Sequence, residues 1–209
     1  MFVITADQVG SRTRDDIVDE TRRRIDAAHG DALALPVGRN AGDELQALTG
    51  DAATALALVL ELTRDERWSV GLGAGAVRMP LPDDVREASG PAFYAARDAV
   101  DRAKRRWPKV AVASGADAAE TAASDLESLL SVVVALREKR SDAGWELAEL
   151  LETGMLQTDA ADALDISPAA VSARARAGAL RPDLEARPAL TRLLHELDRT
   201  ASADSEETT

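Results

Sequence analysis

Two rhythms of apolar and polar positions divide this chain. Phe2 to Asp7 is an apolar run of strand length, closed by the turn Gln8-Val9-Gly10-Ser11. Thr13-Arg14-Asp15-Asp16 then has the hydroxyl and acids of a helix start, with Ile17, Thr21, Ile25 and Ala28 as its buried stripe and Gly30 as its stop. Ala32 to Val37 and Asp43 to Leu48 read as a second and third strand, joined by the loop from Gly38 to Gly42. Pro36 predicts an edge position for the second strand. A helix from Gly50-Asp51 to about Thr63 precedes a fourth strand, Trp68 to Val77. Ser89-Gly90-Pro91 opens a third helix, running to about Arg106, and Val110 to Ala113 is a last short strand. The order β-α-β-β-α-β-α-β contains the split βαβ unit of α+β ferredoxin-like folds.

From Ala116 onward the pattern is helical throughout. In the segment 117–139, Ala119, Ala123, Leu126, Leu130 and Val133 step by four and three, a coiled-coil-like seam that could join two copies as a homodimer. Leu129, Val132 and Leu136 widen the apolar face beyond what one partner needs. Further helices are expected over about Trp145 to Glu152, Gln157 to Leu164, Pro168 to Ala177 and Pro188 to Arg199. The polar stretch Thr200 to Thr209 has the composition of a disordered tail. The expected division is a sheet domain over 1–114, an all-α domain over 115–199 with a helix-turn-helix at 157–177, and the tail at 200–209.

Composition narrows the chemistry. Aromatic residues make up 3% of the chain, too few for a base-stacking surface, and the core must be aliphatic. There is no cysteine, and the two histidines, His29 and His195, belong to no ligand-spaced cluster, so thiolate chemistry is excluded and zinc is disfavoured. No apolar run reaches membrane-spanning length, and the first residues lack a signal peptide's basic region and apolar stretch. A soluble cytoplasmic protein is the expectation.

The candidate chemistry of the sheet domain lies at Asp7 and Asp43. In a split βαβ sheet the end of strand one faces the start of strand three, so these two carboxylates are expected to meet. Paired carboxylates attract a hard cation, Mg²⁺ or Mn²⁺. The turn Gln8, Val9, Gly10 and Ser11 leads toward a helix start whose free N–H groups could receive phosphate, which makes a nucleotide site. The bland alternative is that Asp7 accepts bonds from its own turn and Asp43 braces the hairpin. Gly71, Gly73 and Gly75 would leave one strand face bare for close packing of a helix or a ligand.

The helical half carries a second signal. In Gln157 to Arg174, Ala161, Leu164, Ile166 and Val171 are spaced to bury a small core between two crossing helices, with Ser167 as cap and Pro168 at the first position of the second. This fits a bacterial helix-turn-helix. Its second helix would present Ala169, Ser172, Ala173, Arg174 and Arg176; Ser172 and Arg174 suit base reading, and Arg176 and Arg181 suit phosphates of double-stranded DNA. Charge complicates the picture. The chain carries net charge −12, of which residues 1–113 (16 Lys+Arg, 18 Asp+Glu) hold −2 and residues 114–209 (9 and 19) hold −10. A lone module with three arginines would bind DNA weakly, so a dimer is needed to double the contacts. The alternative is a helix-turn-helix kept for packing or for docking a protein.

Four blocks together carry a family resemblance: Asp7-Gln8-Val9-Gly10-Ser11-Arg12, Gly42-Asp43-Glu44-Leu45-Gln46-Ala47-Leu48, Val70-Gly71-Leu72-Gly73-Ala74-Gly75 and Gly90-Pro91-Ala92-Phe93-Tyr94-Ala95-Ala96-Arg97. In this order they resemble the SatD family, and more distantly the class III nucleotide cyclases. The resemblance implies a cyclase-like antiparallel sheet followed by a C-terminal helix-turn-helix. It implies that Asp7 and Asp43 match the cyclases' metal-binding aspartates and that Arg97 matches their transition-state arginine. Phe93 or Tyr94 stands where those enzymes have asparagine, and no adenine-selecting lysine is evident, which weighs against turnover. The expected function is a DNA-binding transcriptional regulator whose cyclase-like domain senses a metal ion or nucleotide. An enzyme acting on nucleoside triphosphates and a protein-interaction module are the alternatives.

Overall fold

Alternation along the first strand sets the whole layout. In β1 (Phe2–Gln8), Phe2, Ile4 and Ala6 point to one face and Val3, Thr5 and Asp7 to the other. The computed structural model, which describes residues 1–40 and 42–206 except the side chains of 204–206, places β1 at the centre of a five-stranded mixed sheet. The strand order is β2 (Leu35–Asn40), β3 (Glu44–Thr49), β1, β4 (Trp68–Ala74), β5 (Val110–Ser114). β3 and β4 both run antiparallel to β1, β2 is antiparallel to β3, and β5 is parallel to β4. β2 is an edge strand, and Pro36 lies in it.

One sheet face is covered by α1 (Val18–His29), α2 (Ala52–Leu62), α4 (Glu120–Glu138) and α8 (Leu180–Glu206), which share a single aliphatic core with Phe2, Ile4, Ala6 and Leu72. The other face is covered by α3 (Pro91–Ala103), whose Ala92, Phe93 and Ala96 pack on Val3 and Leu48. Gly71 and Gly73 explain how closely α3 approaches. A Cβ on Gly71 would lie 2.2 Å from the Val100 amide nitrogen, and one on Gly73 would lie 2.2 Å from the Ala92 carbonyl oxygen. The bare strand face is therefore filled by a helix backbone.

Beyond the sheet, α5 (Asp142–Glu152), α6 (Gln157–Ala163) and α7 (Pro168–Ala177) pack around a separate small core of Leu147, Ala148, Ala160, Ala161 and Val171, closed by Leu180 at the start of α8. Helices α4 and α8 thus belong to the sheet's core although they follow residue 115 in sequence. Among the described residues no helix is long and apolar enough to cross a membrane.

Three expectations need correction. The first helix starts at Val18 rather than Thr13, because Gly10, at φ +74°, turns the chain and its carbonyl accepts from Thr13 and Arg14. The Gln8 amide then holds the loop, donating to the Asp15 carbonyl and accepting from the Ile17 amide. The last helix runs through Pro188 rather than starting there, and Thr200 to Glu206 continue it; residues 207–209 lie outside the described residues. Magnitudes account for this: a proline inside a helix costs about 3 kcal/mol, whereas Leu190, Leu194 and Leu197, all buried, contribute about 1.5–3 kcal/mol each. Third, the seam Ala119, Ala123, Leu126, Leu130 and Val133 faces this chain's own core, so it is not a surface that a second copy can reach.

Candidate functional site

The sheet register decides which carboxylates meet. Asp7 pairs across the ladder with Glu44, not Asp43. Asp43 lies in the turn before β3 and lines a hollow with Gln8, which alternation along β1 turns to the face opposite Asp7. The acid beside Asp7 is Glu44, which is 2% exposed. Its carboxylate receives Arg97, with Nη2 to Oε1 at 2.7 Å and a second bond from Nη1 to Oε2, while Asn40 donates to Oε1 at 3.3 Å. That bond with Glu44, aided by the charges of Glu44, Asp101 and Asp7, outweighs burial and raises the Arg97 pKa above its ordinary value. Asp7 instead holds Lys104, whose Nζ is 2.9 Å from Oδ2. Burial opposes the Lys104 ammonium, but the bond and charge of Asp7, with help from Asp101, hold its pKa above the usual value.

A two-aspartate metal centre does not fit these residues. An internal ammonium already neutralises Asp7, and Asp43 lies on the other face with its Oδ2 accepting from Ser11 Oγ at 2.6 Å. Among the described residues no group of three or more histidine or acidic side chains is placed to hold an ion. The expected phosphate cradle is spent in half. The Gln8 backbone amide donates to the Asp43 carbonyl and the Val9 amide to the Arg67 carbonyl, so two of its four N–H groups are bonded; the Gly10 carbonyl closes the turn and the Ser11 hydroxyl binds Asp43. The start of α1 is covered by Asp16, which accepts from the Val18 amide. What remains is a hollow of about 290 Å³ with Arg12, Asp16 and Asp43 among its walls.

The helical unit places its residues differently. Asp165, at φ +51°, reverses the chain between α6 and α7. Ser167 caps α7 by accepting from the Ala170 amide, and Val171 is fully buried. The opposite side of α7 exposes Ala169, Ser172, Ala173 and Arg176. The Arg176 side chain forms no ion pair or hydrogen bond among the described residues, whereas Arg174 reaches Glu146 of α5 at 3.4 Å and Arg181 reaches Glu185 at 2.7 Å. Two of the three expected arginines therefore carry an acid already. Asp159 and Asp162 on α6 are exposed nearby in sequence.

One cluster gave no motif in the sequence. Asp183, 2% exposed, accepts from Arg137, Arg140 and Arg187. Burial pushes the Asp183 pKa up, but the Arg187 bond and the charges of Arg137 and Arg187 outweigh it and hold it below the ordinary value. Arg140 also donates to the Gly178 carbonyl just past α7, and Arg137 to the Leu60 carbonyl in α2. Trp145 of α5 lies against Arg64, Arg137 and Arg140, with guanidinium carbons 4.4–4.8 Å from its ring centre. The cluster fastens the α5–α7 unit to the sheet body. Sequence reasoning missed it because Asp183 lies 43 and 46 residues beyond Arg140 and Arg137, a separation that no local pattern encodes.

Comparison with protein-family models, with curated proteins and with solved structures gives no match to this chain.

Proposed function

We propose that this chain is a cytoplasmic DNA-binding regulator that reads double-stranded DNA through α7, acting as a dimer. The observation that carries the reading is the two-sidedness of α7. Val171 anchors one side in a core of its own, while Ala169, Ser172, Ala173 and Arg176 stand outward with small side chains that let the helix backbone approach a groove. The left-handed turn at Asp165 and the Ser167 cap support a helix-turn-helix. The sheet order β2-β3-β1-β4, antiparallel throughout, supports a ferredoxin-like, cyclase-like unit extended by β5. Both accord with the SatD resemblance of the four sequence blocks.

In this reading Ser172 contacts bases, Arg176 holds a phosphate, and Arg174 joins them once it leaves Glu146. The sheet unit serves as the rigid body that carries the reader, with Arg97 and Asp7 in structural ion pairs. Two copies meet through the outward stripe Leu129, Val132 and Leu136 of α4, which are 51%, 59% and 37% exposed. A gel shift at low salt with duplex from the chain's own promoter region tests the reading. A specific shift that Arg176→Ala and Ser172→Ala weaken supports it; no specific shift at any low salt overturns it.

A further inference from the structure

A cleft of about 710 Å³ is lined by residues of α1, α2, α5 and α8. That size lies in the range of about 300–1,000 Å³ typical of small-molecule sites. Leu56, Ala57 and Leu60 of α2 give it an apolar wall, and Trp145 lines it from α5. Arg64, Arg137 and Arg187 also line it. Arg137 is 5% exposed, and its Nε–H finds no acceptor among the described residues, although its two terminal nitrogens are bonded. A buried donor left open is costly.

The other two arginines are held by carboxylates from α5. Glu149 receives Arg64 at 2.5 Å and Glu152 receives Arg187 at 2.6 Å. Both glutamates are well exposed, 57% and 39% at the side chain, so solvent screens each pair and it contributes little. A guanidinium presents a planar fork that matches a carboxylate bidentately. The glutamates therefore occupy, weakly, the seats that an incoming carboxylate would take.

We propose that this cleft binds a small organic carboxylate with an apolar, aromatic body. The carboxylate takes Arg64 or Arg187 from its glutamate, and the body lies between the Leu56–Leu60 wall and Trp145. Because Glu149 and Glu152 both belong to α5, the ligand loosens the hold on that helix of the turn after α2, at Arg64, or of α8, at Arg187. The site is independent of whether α7 reads DNA.

Calorimetric titration of the full chain with benzoate and phenylacetate tests this, with benzamide and phenylacetamide as uncharged counterparts and inorganic phosphate as an anion without an apolar body. Saturable binding of a carboxylate is expected, weakened about tenfold or more in the matching amide, since the charge-assisted bonds are lost. The double variant Glu149→Gln/Glu152→Gln frees Arg64 and leaves Arg187 held by Asp183 alone, and should tighten binding several-fold. Ala57→Phe, which fills the cleft from a half-buried position, should abolish binding while thermal melting shows the fold intact; Arg64→Met should weaken it. Absence of binding to both the wild type and the double glutamate variant overturns the proposal. So does equal binding of phosphate, which marks an adventitious ion only, or binding indifferent to Ala57→Phe and Arg64→Met.

Discussion

Arg97, which the family resemblance matches to a transition-state arginine, holds Glu44 by two parallel bonds across the face of the sheet. Glu44 is almost fully buried, and its other neighbour, Asn40, is neutral. The pair is therefore a structural one, and it yields the first prediction. Arg97→Ala strands a buried carboxylate and should cost about 1–3 kcal/mol, a figure discounted because Arg97 itself is half exposed. Denaturant unfolding measures this. Asp43→Asn, which disturbs only the Ser11 contact, should cost less than Arg97→Ala.

Asp183 carries the larger load. Replacing it with asparagine leaves Arg137 and Arg140 buried without a counter-charge and should cost about 3–5 kcal/mol at pH 7. The pH dependence has a definite sign. The folded pKa of Asp183 is depressed below 3.8, so its contribution is complete above that value and is lost as pH falls through the folded pKa. The stability gap between wild type and Asp183→Asn should stay level from neutral pH down to about 5 and narrow below about 4.

Glu138 works in the opposite direction. Burial, reinforced by the charge of Glu66, raises its pKa above 4.5 despite a bond to Trp107, and its Oε2 has no hydrogen-bond partner among the described residues. A raised carboxyl pKa means a penalty that is present in full above the folded pKa and absent below 4.5. Glu138→Gln should therefore melt at a higher temperature than wild type at pH 7, with the difference fading as pH falls toward 4.5.

The dimer prediction uses the stripe that the fold leaves outside. Val132→Glu, alone or with Leu129→Glu, should shift sedimentation from dimer to monomer at micromolar concentration without lowering stability, since neither residue is buried. Ala123→Glu should unfold the chain instead, because that position lies in the core.

What could be read from the sequence was whatever depends on local pattern. The bounds of α6 and α7, the Ser167 cap, the edge position of β2 and the close packing at Gly71 and Gly73 all follow from residues within one or two turns. The errors come from relations that local pattern does not encode. Asp7 and Asp43 missed each other by a one-residue offset in register, which in a strand reverses the face. The seam of α4 had the period of a dimer interface, but the same period serves a helix packed on its own sheet, and α8 supplied the cover. Pro188 looked like a helix start because its cost is local, while the leucines that override it act at a distance.

The central claim is that α7 reads DNA in a two-fold arrangement, and selection from a random duplex library by the purified full chain tests it most directly. The account predicts enrichment of an inverted repeat with half-site centres about 10–10.5 base pairs apart or a multiple of that spacing. Bound with low salt, the enriched duplex should lose affinity steeply as salt rises. Arg176→Ala should lower affinity for every sequence, Ser172→Ala should relax the choice of bases, and Glu146→Gln, which frees Arg174, should strengthen binding. A pool that stays random after repeated rounds, or an enriched site whose binding is indifferent to Ser172 and Arg176, would contradict it.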